Sequence, residues 1–183
     1  ELREAISRDE FELHYQPIFN ITTLQAASVE AFVRWRHPSK GLISPSEFLP
    51  LAERTGLIHP LGEWILQRAC ADTAALPPNI RLAINITAAQ FRKGNLFDLI
   101  LCALVETGLP PERLELEISD VGSLKLDAMA HLHTIRQLKN LGVSIVLDNC
   151  EAGYSCLQFP FDRVKIDKAF IQGLPARREC AAL

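Results

Sequence analysis

Glu30, Asn85, Glu117, Asp148 and Lys165 have the types and the placement to do chemistry together. Four offer oxygen donors and the fifth a cation. Each lies on a strand-like run, on the face opposite that run's large aliphatic side chains. All-oxygen sets of this kind suit Mg²⁺ or Mn²⁺. Carboxylates brought this close do not all stay ionised unless a cation joins them. Any one of them alone reads as a solvated edge residue. Five such positions on five runs read as a cation site, provided the fold sets the runs side by side. The stretch "IVLDNCEAGYS" (145–155) sharpens the point. An apolar run ends in Asp148 and Asn149, then passes through Gly153 into a turn of small residues.

The elements that must position these residues follow from the pattern. "FELHYQPIF" (11–19) and "ASVEAFVRWR" (27–36) read as two strands joined by a reversal. "SPSEFLPLAERTG" reads as a helix, with Ser44 and Glu47 as a capping box, Pro45 at its first position and Gly56 at its end. A longer helix is expected after Pro60, with Leu61, Trp64, Ile65 and Arg68 at helical spacing. From there strands alternate with helices: strand 81–87, helix 95–108, strand 113–119, helix 127–142, strand 144–149 and strand 163–168. Met129, Leu132, Ile135 and Leu138 are expected to form the stripe of the second of these helices, 127–142. Such alternation implies an α/β fold with a parallel sheet. Side chains on a strand alternate faces. Leu82, Ile84 and Ile86 therefore oppose Asn85, and Leu114, Leu116 and Ile118 oppose Glu115 and Glu117. If the sheet curls into a barrel, the aliphatic face meets the helices. The polar set then points inward, toward the strand ends where barrel active sites lie.

The chain has 183 residues, 48% of them hydrophobic, and a net charge of −3. One domain over 1–183 is expected, with a core of its own. No basic run points to a DNA or RNA polymer. No stretch has the length of a membrane span and no signal peptide opens the chain, so a cytoplasmic location is expected. The five cysteines, Cys70, Cys102, Cys150, Cys156 and Cys180, fit no zinc spacing. They read as free thiols, with Cys70 and Cys102 as small core hydrophobes.

The same residues sit in a series of words: "YQPIF", "VEAFVRWRHP", "SPSEFLPLAERTGLIHPLGEWIL", "AINITAAQF", "GLPPERLELEIS", "LDNCEAGYS" and "VKIDKAFI". In this order and spacing they resemble the EAL domain, the cyclic di-GMP phosphodiesterase family, from end to end of the chain. The resemblance implies a TIM-like (β/α) barrel of the EAL type. It also implies two divalent cations that activate a water to open one phosphodiester of cyclic di-GMP. Carried over by position, Glu30, Asn85, Glu117 and Asp148 resemble the ligands of the first metal, Mg²⁺ or Mn²⁺. Lys165 resembles the lysine beside the attacking water and, with Glu30, would be catalytic. Gln16 and Arg34 resemble ligand contacts, the arginine being suited to a phosphate oxygen.

The chain departs from the family pattern in four places. Phe32 replaces the leucine of the signature, a conservative change. The family's "DDFGTGYS" is here "DNCEAGYS", so Asn149 stands where a second-metal aspartate is expected and faces the ligand without a charge. Asp120 replaces the glutamate that braces this loop and is one methylene shorter. The family's "AEGVE" and "QGY" strands do not occur before Leu183, so the expected barrel lacks its last two strands. These departures favour a degenerate module that binds cyclic di-GMP or a protein, with weak or no hydrolysis. One cation site would be retained and the second weakened. The alternative is an active metal-dependent phosphodiesterase, supported by Glu30, Asn85, Glu117, Asp148 and Lys165. A second copy of the chain and an upstream sensory domain are the further partners the resemblance implies.

Overall fold

The computed structural model describes residues 1–92, 94–119, 128–148, 160–166, 168 and 171. Asp120, Asn149, Cys150, Cys156 and Cys180 lie outside the described residues. Helix α1 (Leu2–Ser7) leads into β1 (Phe11–Phe19), which pairs antiparallel with β2 (Ala26–His37). A three-residue strand, β3 (Gly41–Ile43), folds back on the end of β2. It is too short to carry a periodicity, which is why the sequence did not announce it. Helix α2 (Pro45–Thr55) follows, then α3 (Ile58–Ala74). Helix α3 starts before Pro60 rather than after it. Proline is tolerated in a first turn because the N–H it lacks would have had no intrahelical partner.

The alternating part comprises β4 (Arg81–Ile86), a short unexpected α4 (Ala88–Arg92), α5 (Leu96–Thr107), β5 (Leu114–Ile118), α6 (Ala128–Leu141), β6 (Ser144–Leu147) and β7 (Arg163–Val164). The strand order is β1-β2-β4-β5-β6-β7, with β3 on the flank of β2. From β2 onward every neighbour on this path is parallel. Lys165, one residue past β7, places its Nζ 2.9 Å from Glu30 on β2. Four strand-to-strand steps in a flat sheet would put the two backbones about 19 Å apart. The sheet therefore curls into a barrel wall, and its inner face is the polar one.

The outer face buries Leu82, Ile84, Leu114, Leu116, Ile118 and Ile145 against Leu66, Cys70, Ile100, Leu104, Ile135 and Leu138 of the helices. A second cluster gathers Phe11, Trp35 and Phe48, with Trp64 at its border. Two expectations fail. Met129 is 77% exposed, and His131 is buried instead, edge-on to Phe91. A strict three-residue spacing drifts around a 3.6-residue helix, so positions nine apart face opposite ways. Cys102 is exposed on α5, one position away from the buried Ala103, while Cys70 is fully buried. Among the described residues no helix is long and apolar enough to cross a membrane.

Candidate functional site

Glu30 lies in the middle of β2, in register with Gln16 of β1 on one side and Ala83 of β4 on the other. Asn85, further along β4, is in register with Glu117 of β5. Asn85 Nδ2 donates to Glu30 Oε1 at 2.9 Å. Lys165 Nζ donates to Glu30 Oε2 at 2.9 Å and to Glu117 Oε2 at 2.7 Å. Side chains from β2, β4, β5 and the end of β7 thus meet at one point inside the wall. Both glutamates are buried, Glu117 to 2% exposure.

That burial controls the protons. Burial pushes the Glu117 carboxyl up to about 7, against the pull of the Lys165 ammonium and with help from the neighbouring Glu30 charge. Burial acts on Glu30 in the same sense, but hydrogen bonds from Lys165 and Asn85 outweigh it and hold Glu30 below the usual carboxylate value. Lys165 is raised despite its own burial, because both glutamates favour its charged form. The site is therefore short of positive charge, with one lysine serving two carboxylates.

Asp148 is the first residue past β6. Its backbone N–H donates to Ile118 O at 2.9 Å, and its half-buried side chain lines a cavity of about 360 Å³ shared with Glu30, Asn85 and Ser119. Gln16 is exposed and lies opposite Glu30. Arg34 follows Glu30 and Phe32 on the same strand face. Its Nη1 donates to Val33 O at 2.9 Å, and the guanidinium lies 5.7 Å from the Phe32 ring centre. Glu30, Asn85, Glu117 and Lys165 are thus in contact, Asp148 shares their cavity, and Gln16 and Arg34 flank them. Asn149 and Asp120 fall outside the described residues.

Among the described residues no three His, Cys, Asp or Glu side chains gather tightly enough to hold a metal by themselves. The donor chemistry still fits a hard divalent cation, since every candidate ligand is an oxygen. Glu30, Asn85 and Glu117 would hold it, with Asp148 from the cavity wall. One layer down the strands, buried Glu115 forms ion pairs with Arg81 and Arg163. That layer closes the inner face at the N-terminal strand ends.

The residue that sequence reasoning missed is Gln90. Its side-chain Oε1 accepts the Thr87 N–H at 2.9 Å, just past the end of β4. The signal was present as a Thr-x-x-Gln capping pattern at 87–90, concealed because the strand was read through Thr87.

Comparison with known proteins places this geometry. A model of the EAL domain matches residues 1–183. An "uncharacterized signaling protein" of Caulobacter vibrioides is 41% identical over 187 aligned residues, taking in all of this chain and 23% of that protein. The cyclic di-GMP phosphodiesterase NbdA of Pseudomonas aeruginosa is 38% identical, over 96% of this chain and 23% of its own length. The chain thus spans about a quarter of these relatives. The solved structure of the PaMucR phosphodiesterase in complex with c-di-GMP superposes with a TM-score of 0.88 at 38% identity, covering 99% of this chain and 76% of that one.

Proposed function

This chain belongs to the EAL domain family, and from that premise we propose that it is the cyclic di-GMP-binding module of a signalling protein, with weak or no hydrolysis. The observation that carries the reading is the cluster of Glu30, Asn85, Glu117 and Lys165, with Arg34 on the same face. Asn149 supports the second half of it. A carboxamide there offers an oxygen without a charge, where the family pattern has an aspartate.

The residues divide the work. Glu30 holds negative charge at the floor of the site, Glu117 joins it once its own proton leaves near pH 7, and Asn85 orients Glu30. Lys165 bonds to both and sits where it can hold a water or a phosphate oxygen. Arg34 can grip the phosphodiester with its guanidinium fork. A divalent cation, when bound, supplies Lewis acidity and lowers the pKa of a bound water. Asp120, if it braces the 149–155 loop as the resemblance implies, does so with a shorter arm.

The test is a calorimetric titration of cyclic di-GMP into the chain with Mg²⁺ present. Micromolar or tighter binding is expected, with Arg34→Ala weakening it at least about tenfold, the scale of one charge-assisted contact. A folded chain with no binding overturns the proposal. The second reading, an active phosphodiesterase, is favoured by the presence of all five residues Glu30, Asn85, Glu117, Asp148 and Lys165. The name of the relative NbdA points the same way.

A further inference from the structure

Strands β2 and β4 pair only over Ser28–Ala31 and Arg81–Ile84. Beyond that they part. β2 continues to His37 against β1 and β3, while among the described residues the end of β4 pairs only with β5. The segment that carries Asn85 therefore lacks a strand neighbour on one side, and the cavity of about 360 Å³ opens there. Pairing with β5 holds one edge of this segment, and a further contact braces the turn that follows it. The bond from Thr87 N–H to Gln90 Oε1 is that brace, alongside the backbone bond from Gln90 N–H to Thr87 O. Thr87's own hydroxyl is buried without a hydrogen-bond partner among the described residues, so the turn is held from the Gln90 side.

Gln90 is in turn placed by α3. Its amide lies directly over Gly62, where an added Cβ would come within 2.3 Å of Nε2. Gly62 is inside a helix and has no positive φ, so nothing in its backbone calls for glycine. Glycine inside a helix is unfavourable relative to alanine. Close approach of the Gln90 amide explains it.

We infer that Gln90, seated on Gly62, is a positioning residue that fixes the end of β4 and thereby aims Asn85 at Glu30. The inference rests on the proposed reading of Glu30 and Asn85 as ligand-holding residues. Gly62→Ala should push the Gln90 amide into the adjacent cavity and release the Thr87 N–H. The helix propensity gained offsets the bond lost, so the unfolding midpoint should hardly move.

The experiment uses the 183-residue chain without nucleotide. The Asn85 side-chain amide peaks are followed by NMR, identified by their loss in Asn85→Asp, and Mn²⁺ affinity is measured by calorimetry. Gly62→Ala and Gln90→Ala should each shift the Asn85 peaks. Each should also weaken Mn²⁺ about tenfold, the lower range for residues that orient metal ligands. The double variant should be no worse than either single one, and Gln90→Glu, which keeps the acceptor, should retain most of the affinity. Unmoved Asn85 peaks, or effects that simply add, overturn the inference. If Gly62→Ala melts early, Gln90→Ala and Gln90→Glu decide alone. A wild-type chain that binds no Mn²⁺ removes the cation reading, while the Asn85 peaks and their non-additivity still decide the positioning role.

Discussion

Glu117 is the residue on which the electrostatics of the site turn. Buried beside a second carboxylate, it keeps its proton up to about pH 7. The native chain therefore binds a proton between pH 4.5 and 7 that the unfolded chain releases. Stability of the metal-free protein falls as pH rises through that window. Urea unfolding at a series of pH values should show this slope, and Glu117→Gln should flatten it. A slope unchanged in Glu117→Gln would place the proton elsewhere. Lys165 is the counterpart. Lys165→Met leaves two buried carboxylates without their shared cation, which should cost about 1–2 kcal/mol at pH 7.5, discounted because the ammonium is a third exposed. Adding Mn²⁺ should recover that loss in the melting temperature. No recovery would mean that the glutamates do not form a cation cradle. The sequence exposed these two residues well, because each stood opposite an aliphatic face. It concealed Gln90 and Gly62, whose roles arise from one close approach between two successive helices with β4 between them.

Among elements, the junction of α3, β4 and β5 shows how a strand boundary can mislead. Arg113 looked like the first residue of a strand. It sits instead in a 3-10 turn (Pro111–Arg113), and its buried guanidinium donates to Ile80 O, Thr73 O and Pro77 O at 2.8, 2.9 and 3.1 Å. It thereby ties the last turn of α3 to the loop that leads into β4, adding a second donor to Thr73 O and Pro77 O, which already accept the Leu76 and Ile80 N–H groups. Arg113→Met keeps the bulk and strips the donors, and should cost about 2 kcal/mol in urea unfolding. A loss under about 0.5 kcal/mol, the level of an ordinary surface change, would contradict this role. The long elements were legible because their periodicities were long. β3 and α4 were not, since three and five residues carry too little pattern. Met129 was misplaced because a spacing of three is not the period of a helix.

At the scale of the whole molecule, curvature makes the site. Glu30 on β2, Glu117 on β5 and Lys165 just past β7 touch only because a parallel sheet closes toward a barrel. The alternation of strands and helices announced the parallel sheet, and the run of motifs announced the EAL type. The distance from Lys165 to Glu30 came from neither and needed the fold. On the proposed reading, the cluster of Glu30, Asn85, Glu117 and Lys165 would hold a cation and a phosphate, while Asn149 stands where hydrolysis would want a carboxylate. The direct test of that account is to incubate the chain with cyclic di-GMP and Mg²⁺ and to separate the recovered nucleotide. Binding with the cyclic form recovered intact is the predicted result. Steady formation of the linear dinucleotide, abolished by Glu30→Ala, would contradict it and make the chain a working phosphodiesterase.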